Sequence, residues 1–328
     1  MKKLFIPVVL ILVIVLSACG SSQTKNEYGG NTPPTESSSN TPSNSSTSPD
    51  AESESKSGTI TYQSEDGPIE VPANPQRVVV LTRFLTGNVM ALGVPVVGVD
   101  EMSKTNPRFE AQLKDVEAVS DESLEKIIEL EPDLIIGLAG IKNVDKFKQI
   151  APTVTYTYGK VDYLQQQVEV GKLLNKEQEA KAWVEDFQAK AQKAGEEIRA
   201  KIGDDATVSV IETFNKQLYV YGYNFGRGTE ILYGEFKLNL PKSVEESTAT
   251  DGYLAVSTEV LKDYMGDYVI FSKNADEDNS FQNTETYKNI DAVKNNHIYE
   301  VDAKSFYFGD PLSLEYQLEF FIESFLGQ

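Results

Sequence analysis

The residues best equipped for chemistry lie in one loop, Tyr221-Gly-Tyr-Asn-Phe-Gly-Arg-Gly-Thr-Glu230. A single guanidinium, Arg227, stands among Tyr221, Tyr223 and Phe225, with glycines at 222, 226 and 228. A planar fork of N–H donors beside aromatic faces suits a ligand rich in acceptor oxygens and partly apolar. The glycines invite another reading, a phosphate cradle. Their order, Gly-x-x-x-Gly-x-Gly with no Lys-Ser/Thr after it, matches neither a Walker A loop nor the dinucleotide fingerprint. They are expected to turn the backbone tightly at a strand end and start a helix near Thr229. A second aromatic group, Phe306, Tyr307 and Phe308, precedes Asp310-Pro311. Binding pockets are mostly apolar with a few placed polar groups, and these two segments could supply both. Other chemistries fit poorly. The one histidine, His297, reads as structural, so a His/carboxylate metal cluster has no basis. Asp276-Glu-Asp278-Asn-Ser280 begins like a calcium loop, but Phe281 replaces the required glycine and the later ligands do not follow. No Gly-x-Ser-x-Gly elbow or nucleophile–His–acid grouping is present. With neither paired cysteines nor a dinucleotide fingerprint, a reductase is disfavoured.

The elements that must position these residues form an approximate repeat. Short β-branched runs occur at Val78–Leu81, Val96–Val99, Leu134–Gly137 and Thr153–Tyr158. A second set occurs at Val208–Ile211, Gln217–Gly222, Tyr268–Ser272 and His297–Asp302. Helical patterns separate most of them, which predicts α/β structure with largely parallel sheets. Ser123 to Ile136 aligns with Ser257 to Ile270 at constant offset, pairing Ser123 with Ser257, Glu125 with Glu259 and Asp133 with Asp267. In each copy a serine could cap a short helix, a carboxylate would sit in its first turn, and a buried strand follows. Phe147-Lys-Gln-Ile150 similarly resembles Tyr287-Lys-Asn-Ile290. Between the sets, residues 175–202 contain no proline and one glycine, and are rich in Ala, Glu, Lys and Gln. An apolar stripe through Ala180, Trp183, Val184, Phe187, Ala191 and Ala194 predicts one helix of about 42 Å. It would run as a strut between two α/β lobes, residues 58–174 and 203–328, with Trp183 packed in the stripe.

The chain ends place this domain. Lys2 and Lys3 precede an apolar run from Leu4 to Leu16, too short for a comfortable membrane span but suited to a signal peptide over residues 1–18. Leu16-Ser-Ala-Cys19 matches the bacterial lipobox, which makes Cys19, the only cysteine, a candidate for lipidation and the mature N-terminus. Residues 20–57 are dominated by Ser, Thr, Asn, Pro and Gly and cannot build a core. As a flexible tether they reach roughly 35 Å. The formal charge is −20, and losing Lys2 and Lys3 takes it to −22. Nucleic acid and anionic lipid surfaces are therefore poor partners.

Together, the lipobox, polar tether, paired lobes and long helix resemble the Gram-positive siderophore-binding lipoproteins, the substrate-binding components of iron ABC importers. The resemblance spans about residues 59–328. It is carried by Val71-Pro-Ala-Asn-Pro-Gln-Arg-Val-Val-Val80, Ser123–Gly137, Lys148-Gln-Ile-Ala-Pro-Thr153, Tyr221–Tyr233 and Asn289-Ile-Asp-Ala-Val-Lys-Asn-Asn-His297. Asn224-Phe-Gly-Arg-Gly228 and Ser305–Leu314 look most like the ferric-hydroxamate-binding (FhuD-like) subfamily. The resemblance implies two Rossmann-like lobes joined by a single helix, as in class III periplasmic binding proteins. It implies a monomer that does no chemistry and needs no cofactor. Such a protein captures a ferric siderophore between its lobes and delivers it to a membrane permease and its ATPase, from the outer side of a Gram-positive cell membrane. It places the permease contacts on Glu125 and Glu259, and a siderophore contact on Phe225, where some members have tryptophan.

Charge narrows the expected cargo. Of five arginines, only Arg83, just after the first strand, and Arg227 are well placed for a cleft at the carboxyl ends of strands. A ferric tris-catecholate carries −3 and calls for several cations, whereas ferric tris-hydroxamates are neutral or mildly cationic. Two arginines with Tyr221, Phe225, Tyr307 and Phe308 as apolar contacts suit a hydroxamate better. A ferric catecholate, haem or vitamin B12 receptor remains the alternative binder, and a surface siderophore hydrolase or ferric reductase the alternative enzyme.

Overall fold

The computed structural model describes residues 58–327; the leader, Cys19 and the tether lie outside them. The described chain opens with a hairpin, β1 (Thr59–Ser64) and β2 (Gly67–Pro72), turning at Glu65-Asp66. The first lobe is a parallel sheet of β3 (Val78–Val80), β4 (Val96–Val99), β5 (Glu117–Ala118), β6 (Leu134–Leu138) and β7 (Thr153–Tyr156), in the order β5-β4-β3-β6-β7. Val78, Val79 and Val80, like Leu134, Ile135 and Ile136, are all buried, because helices cover both faces of a parallel sheet. The second lobe repeats this order with β8 (Val208–Phe214), β9 (Gln217–Tyr221), β10 (Tyr253–Val256), β11 (Tyr268–Lys273) and β12 (Ile298–Asp302), arranged β10-β9-β8-β11-β12. Here β9 runs antiparallel to both neighbours, so the second sheet is mixed. In each sheet the chain order switches at one adjacent pair, β3 with β6 and β8 with β11, where open α/β sheets bind ligands.

The repeat has a physical counterpart in its aspartates. Asp133 accepts the backbone N–H of Arg77 at 2.9 Å, and Asp267 accepts that of Thr207 at 2.8 Å. Each N–H immediately precedes the first strand of its sheet, so each carboxylate pins the entry of β3 or β8. The serines do not behave as expected. Ser123 Oγ accepts from the Ser120 N–H at 3.1 Å and leaves the helix Leu124–Glu129 without a side-chain cap. Ser257 precedes a turn and a single 3₁₀ turn, Leu261–Asp263, so Glu259 has no helix to begin.

The connecting helix spans Glu177–Ile202. It begins two residues later than expected because Asn175 adopts left-handed backbone (φ 56°) after the preceding helix Tyr163–Leu173. Its stripe serves both lobes: Ala180 packs in the first core, and Phe187, Ala191, Ala194 and Ile198 in the second. Trp183 stacks on Phe187 at 5.0 Å and donates Nε1–H to Glu315 at 3.0 Å, a packing role.

A second contact ties the lobes. The helix Arg83–Ala91 meets the start of the terminal helix Pro311–Leu326, where Leu312 packs into the first core. Gly87 lies so close that a Cβ on it would stand 2.0 Å from Asp310 Oδ1, and Asn106 donates to Ser313 Oγ at 3.1 Å. Among the described residues no helix is long and apolar enough to cross a membrane.

Candidate functional site

The loop after β9 is held by its own backbone. Phe225 N–H donates to Thr229 Oγ1 at 2.9 Å, Gly226 N–H to Glu230 Oε1 at 2.8 Å, and Arg227 N–H to the Phe306 carbonyl at 2.8 Å. Gly226, Arg227 and Gly228 are consecutive left-handed residues (φ 71°, 58° and 83°). Glycine is needed on either side of the arginine. A Cβ at 226 would lie 2.7 Å from the Tyr307 carbonyl oxygen, and one at 228 would lie 2.4 Å from Phe321 Cζ. The expected helix follows as a π-helix, Glu230–Glu235, closed by the Phe236 N–H on the Ile231 carbonyl at 2.7 Å. Such wide turns concentrate at functional sites.

This loop aims Arg227. Its Nε and Nη2 donate to Glu212 Oε2 and Oε1 at 3.0 and 3.1 Å, and Nη1 to the Phe225 carbonyl at 3.3 Å. The rings of Tyr221 and Tyr307 flank the guanidinium at 4.5 and 5.1 Å. Burial works against its charge, but Glu212 more than offsets this and raises the Arg227 pKa. Three of five N–H bonds are engaged, which leaves two for a ligand. The route by which Arg227 reaches this place corrects the sequence reading. Because β9 is reversed, Tyr221 pairs with Val210, and the loop leaves toward the amino end of β8. Arg227 reaches the carboxyl-end half of β8 only by returning to Glu212.

A cavity of about 710 Å³ lies between the lobes. Phe225, Arg227, Tyr307 and Phe308 line it as expected. Tyr221 does not; it is buried beneath, stacked on Phe225 at 5.6 Å. Arg83 is also outside the lining. It opens its helix, lies 5.4 Å from the Phe84 ring and sits close enough to Asp100 to oppose the burial that raises that carboxyl's pKa. Phe84 takes the wall position instead, packed against Tyr158 at 4.7 Å and Phe308 at 6.0 Å. Phe84, Tyr158, Asn88, Gln166 and Glu230 were not anticipated. Phe84 and Tyr158 follow β3 and β7 at their carboxyl ends, a rule that could have found them. Gln166 carries a buried Nε2 with no partner among the described residues. Burial raises the pKa of Glu230 and pushes that of Tyr307 up to about 12.

Glu125 and Glu259 are exposed and lie outside this cavity. Each comes shortly after an edge strand of its sheet, β5 or β10, so they occupy equivalent places in the two lobes. The acidic loop is occupied internally: Glu277 accepts the Asn215 and Lys216 N–H groups, and Asp276 pairs with Lys304 at 2.8 Å. His297 stacks on Tyr268 at 4.2 Å.

The periplasmic binding protein profile matches residues 78–305. The chain belongs to the periplasmic binding protein family. Among relatives of this binding protein, the iron(3+)-hydroxamate-binding protein FhuD of Bacillus subtilis (strain 168) is 35% identical over 322 residues, covering 96% of this chain and 95% of the relative. A FhuD fold-family component of a Fep/Fec-like ferrichrome ABC transporter from B. subtilis superposes with a TM-score of 0.74 at 37% identity, covering 81% of this chain and 100% of that one. FhuD2 of Staphylococcus aureus with bound ferrioxamine B gives 0.72 at 34% identity, covering 77% and 99%. The two α/β lobes and single connecting helix of this periplasmic binding protein are the fold expected from the repeat and the helix between its halves.

Proposed function

We propose that the protein is a lipid-anchored substrate-binding component of an ABC importer, which captures a ferric hydroxamate siderophore between its lobes and presents it to a membrane permease. The observation that carries this reading is Arg227: two spare N–H donors in an aromatic cavity, with the cation already balanced by Glu212. Three hydroxamates contribute three negative charges to Fe(III) and leave a neutral centre ringed by acceptor oxygens. Three catecholates contribute six and leave −3. Lys160, at the same cavity, is paired with Glu65 at 3.3 Å, and neither Asp162 nor Glu230 adds positive charge. A trianion would find donors but no net attraction. Arg83 stands outside the lining and Arg227 is balanced by Glu212, so the cavity favours an uncharged cargo more strongly than two free arginines would. Relatives that bind iron(3+)-hydroxamates support the same cargo. The lipid anchor on Cys19 and docking through Glu125 and Glu259 belong to this proposal, as do ligand contacts from Phe225, Tyr307 and Phe308.

Calorimetric titration of the pure protein with ferrichrome, ferrioxamine B, a ferric tris-catecholate and cobalamin tests it. The hydroxamates should bind and be recovered intact. Tighter binding of the catecholate or of cobalamin would overturn the cargo, and turnover of the complex would overturn the binding role. Arg227→Ala should weaken ferrichrome binding by roughly tenfold or more through loss of charge-assisted bonds, and should also lower the melting temperature because Glu212 is left buried without its partner; Arg227→Lys, which keeps a cation beside Glu212, should weaken binding with a smaller loss of stability.

A further inference from the structure

We infer that Glu212, which does not line the cavity, decides which iron complexes the site accepts, by balancing the charge of Arg227 and fixing the direction of its two spare N–H bonds. The inference rests on the siderophore-binding reading above and adds to it a residue that selects by charge.

Glu212 is fully buried on β8, and both of its oxygens are committed. Oε1 accepts from Arg227 Nη2; Oε2 accepts from Arg227 Nε and from the Ser272 hydroxyl at 2.6 Å. Ser272 lies directly opposite Glu212 in the β8–β11 pairing, so the carboxylate is held from both central strands of the lobe. A bidentate grip sets the plane of the guanidinium as well as its position. Tyr221 and Tyr307 flank that plane, and the Phe225 carbonyl takes a third N–H. What remains for the cavity is a directed pair of donors without a bare cation. A carboxylate buried this completely is costly unless paired, so the pairing is integral to the strand. The other ionisable groups lining the cavity, Lys160, Asp162, Glu230, Tyr158, Tyr163 and Tyr307, supply no surplus positive charge that could take over the role.

Two substitutions separate charge from position. Glu212→Gln keeps the shape and removes the charge, leaving Arg227 uncompensated in a poorly solvated site. Glu212→Asp keeps the charge but is one methylene too short for the bidentate grip. Dissociation constants for ferrichrome and for a ferric tris-catecholate are measured by calorimetry, with circular dichroism to confirm folding. Glu212→Gln should weaken ferrichrome and shift the affinity ratio toward the catecholate by roughly tenfold or more. Glu212→Asp should weaken ferrichrome and leave the ratio near the wild-type value. A purely structural role would lower both affinities together, so an unmoved ratio in folded Glu212→Gln overturns the inference. If Glu212→Gln does not fold, Gln166→Lys decides, because it adds an unbalanced cation to the cavity lining and leaves Glu212 in place: a ratio shifted toward the catecholate supports selection by charge, and an unmoved ratio overturns it. Failure of the wild-type protein to bind ferrichrome would instead remove the cargo reading, and this inference with it.

Discussion

At the scale of single residues, the site depends on carboxylates that hold other groups in place. Glu230 illustrates the cost. It accepts the Gly226 N–H, which fixes the loop ahead of Arg227, yet it is buried and its pKa is raised by desolvation. Below the ordinary carboxylate range Glu230 is protonated in folded and unfolded chains alike, and no penalty arises. As pH rises through its elevated folded value, ionisation is favoured in the unfolded chain and resisted in the native one, so stability falls. Glu230→Gln retains an acceptor for Gly226 and removes the ionisation. It should therefore melt above wild type at pH 7, by roughly 2–4 °C per kcal/mol relieved, with the difference vanishing near pH 4. Equal melting temperatures at both pH values would remove the argument. Arg227, Phe225 and Tyr307 were legible in the sequence because an arginine among aromatics and glycines has few structural uses. Glu212 was not. It sits in the run Val-Ser-Val-Ile-Glu-Thr-Phe, where a lone glutamate looks like a solvent-facing strand residue. Its partner is 15 residues away, and only the reversed strand between them brings the two together.

At the scale of elements, strands with continuous β-branched runs were legible to within a few residues, and so was the connecting helix. Four strands were not. The hairpin β1–β2 carries a sequence signal of its own, since both strands alternate in burial about Glu65-Asp66. By contrast, β5 has two residues, and β10 takes its place by pairing with β9 rather than from its own composition. The direction of β9 was also hidden, since a short turn at Asn215-Lys216 was not recognised as a hairpin; both residues are left-handed (φ 49° and 62°). The single glycine of the connecting helix has a definite task. A Cβ at Gly195 would stand 2.6 Å from the Cα of Phe236, which ends the π-helix, and Arg199 one turn later donates to the Phe236 carbonyl. The neighbour is backbone and cannot turn aside. Gly→Ala inside an exposed helix is worth about 1 kcal/mol of stabilisation. Gly195→Ala should reverse that sign and cost about 1–3 kcal/mol in urea unfolding, because the π-helix must move. A stabilised variant would show that the contact yields easily.

At the scale of the whole molecule, the two lobes repeat one plan and diverge where the plan meets the cavity. The aspartates that pin β3 and β8 do the same work in both halves, and the order of strands is the same. Glu125 and Glu259 share this symmetry of place but not of local structure. Glu125 sits in the first turn of a helix, where a carboxylate has a modest structural use of about 0.3–1 kcal/mol. Glu259 has no helix to serve; its carboxyl is fully exposed and held below the usual range by the Ser257 hydroxyl. A shared local structure therefore does not explain why both lobes carry a glutamate at this position, whereas the proposed docking of one partner on both lobes would. If they dock a permease, Glu125→Ala and Glu259→Ala should each leave ferrichrome affinity within about twofold, since neither lines the cavity. Uptake of the iron complex by cells, or by vesicles containing the permease, should fall in each single variant and further in the double. The two single effects should be of comparable size, because the sites are equivalent in the pseudo-symmetric plan. A helix-terminus role predicts a different pattern: a small loss of melting temperature for Glu125→Ala, none for Glu259→Ala, and normal uptake in both. Uptake that survives the double substitution would place the docking surface elsewhere on the lobes.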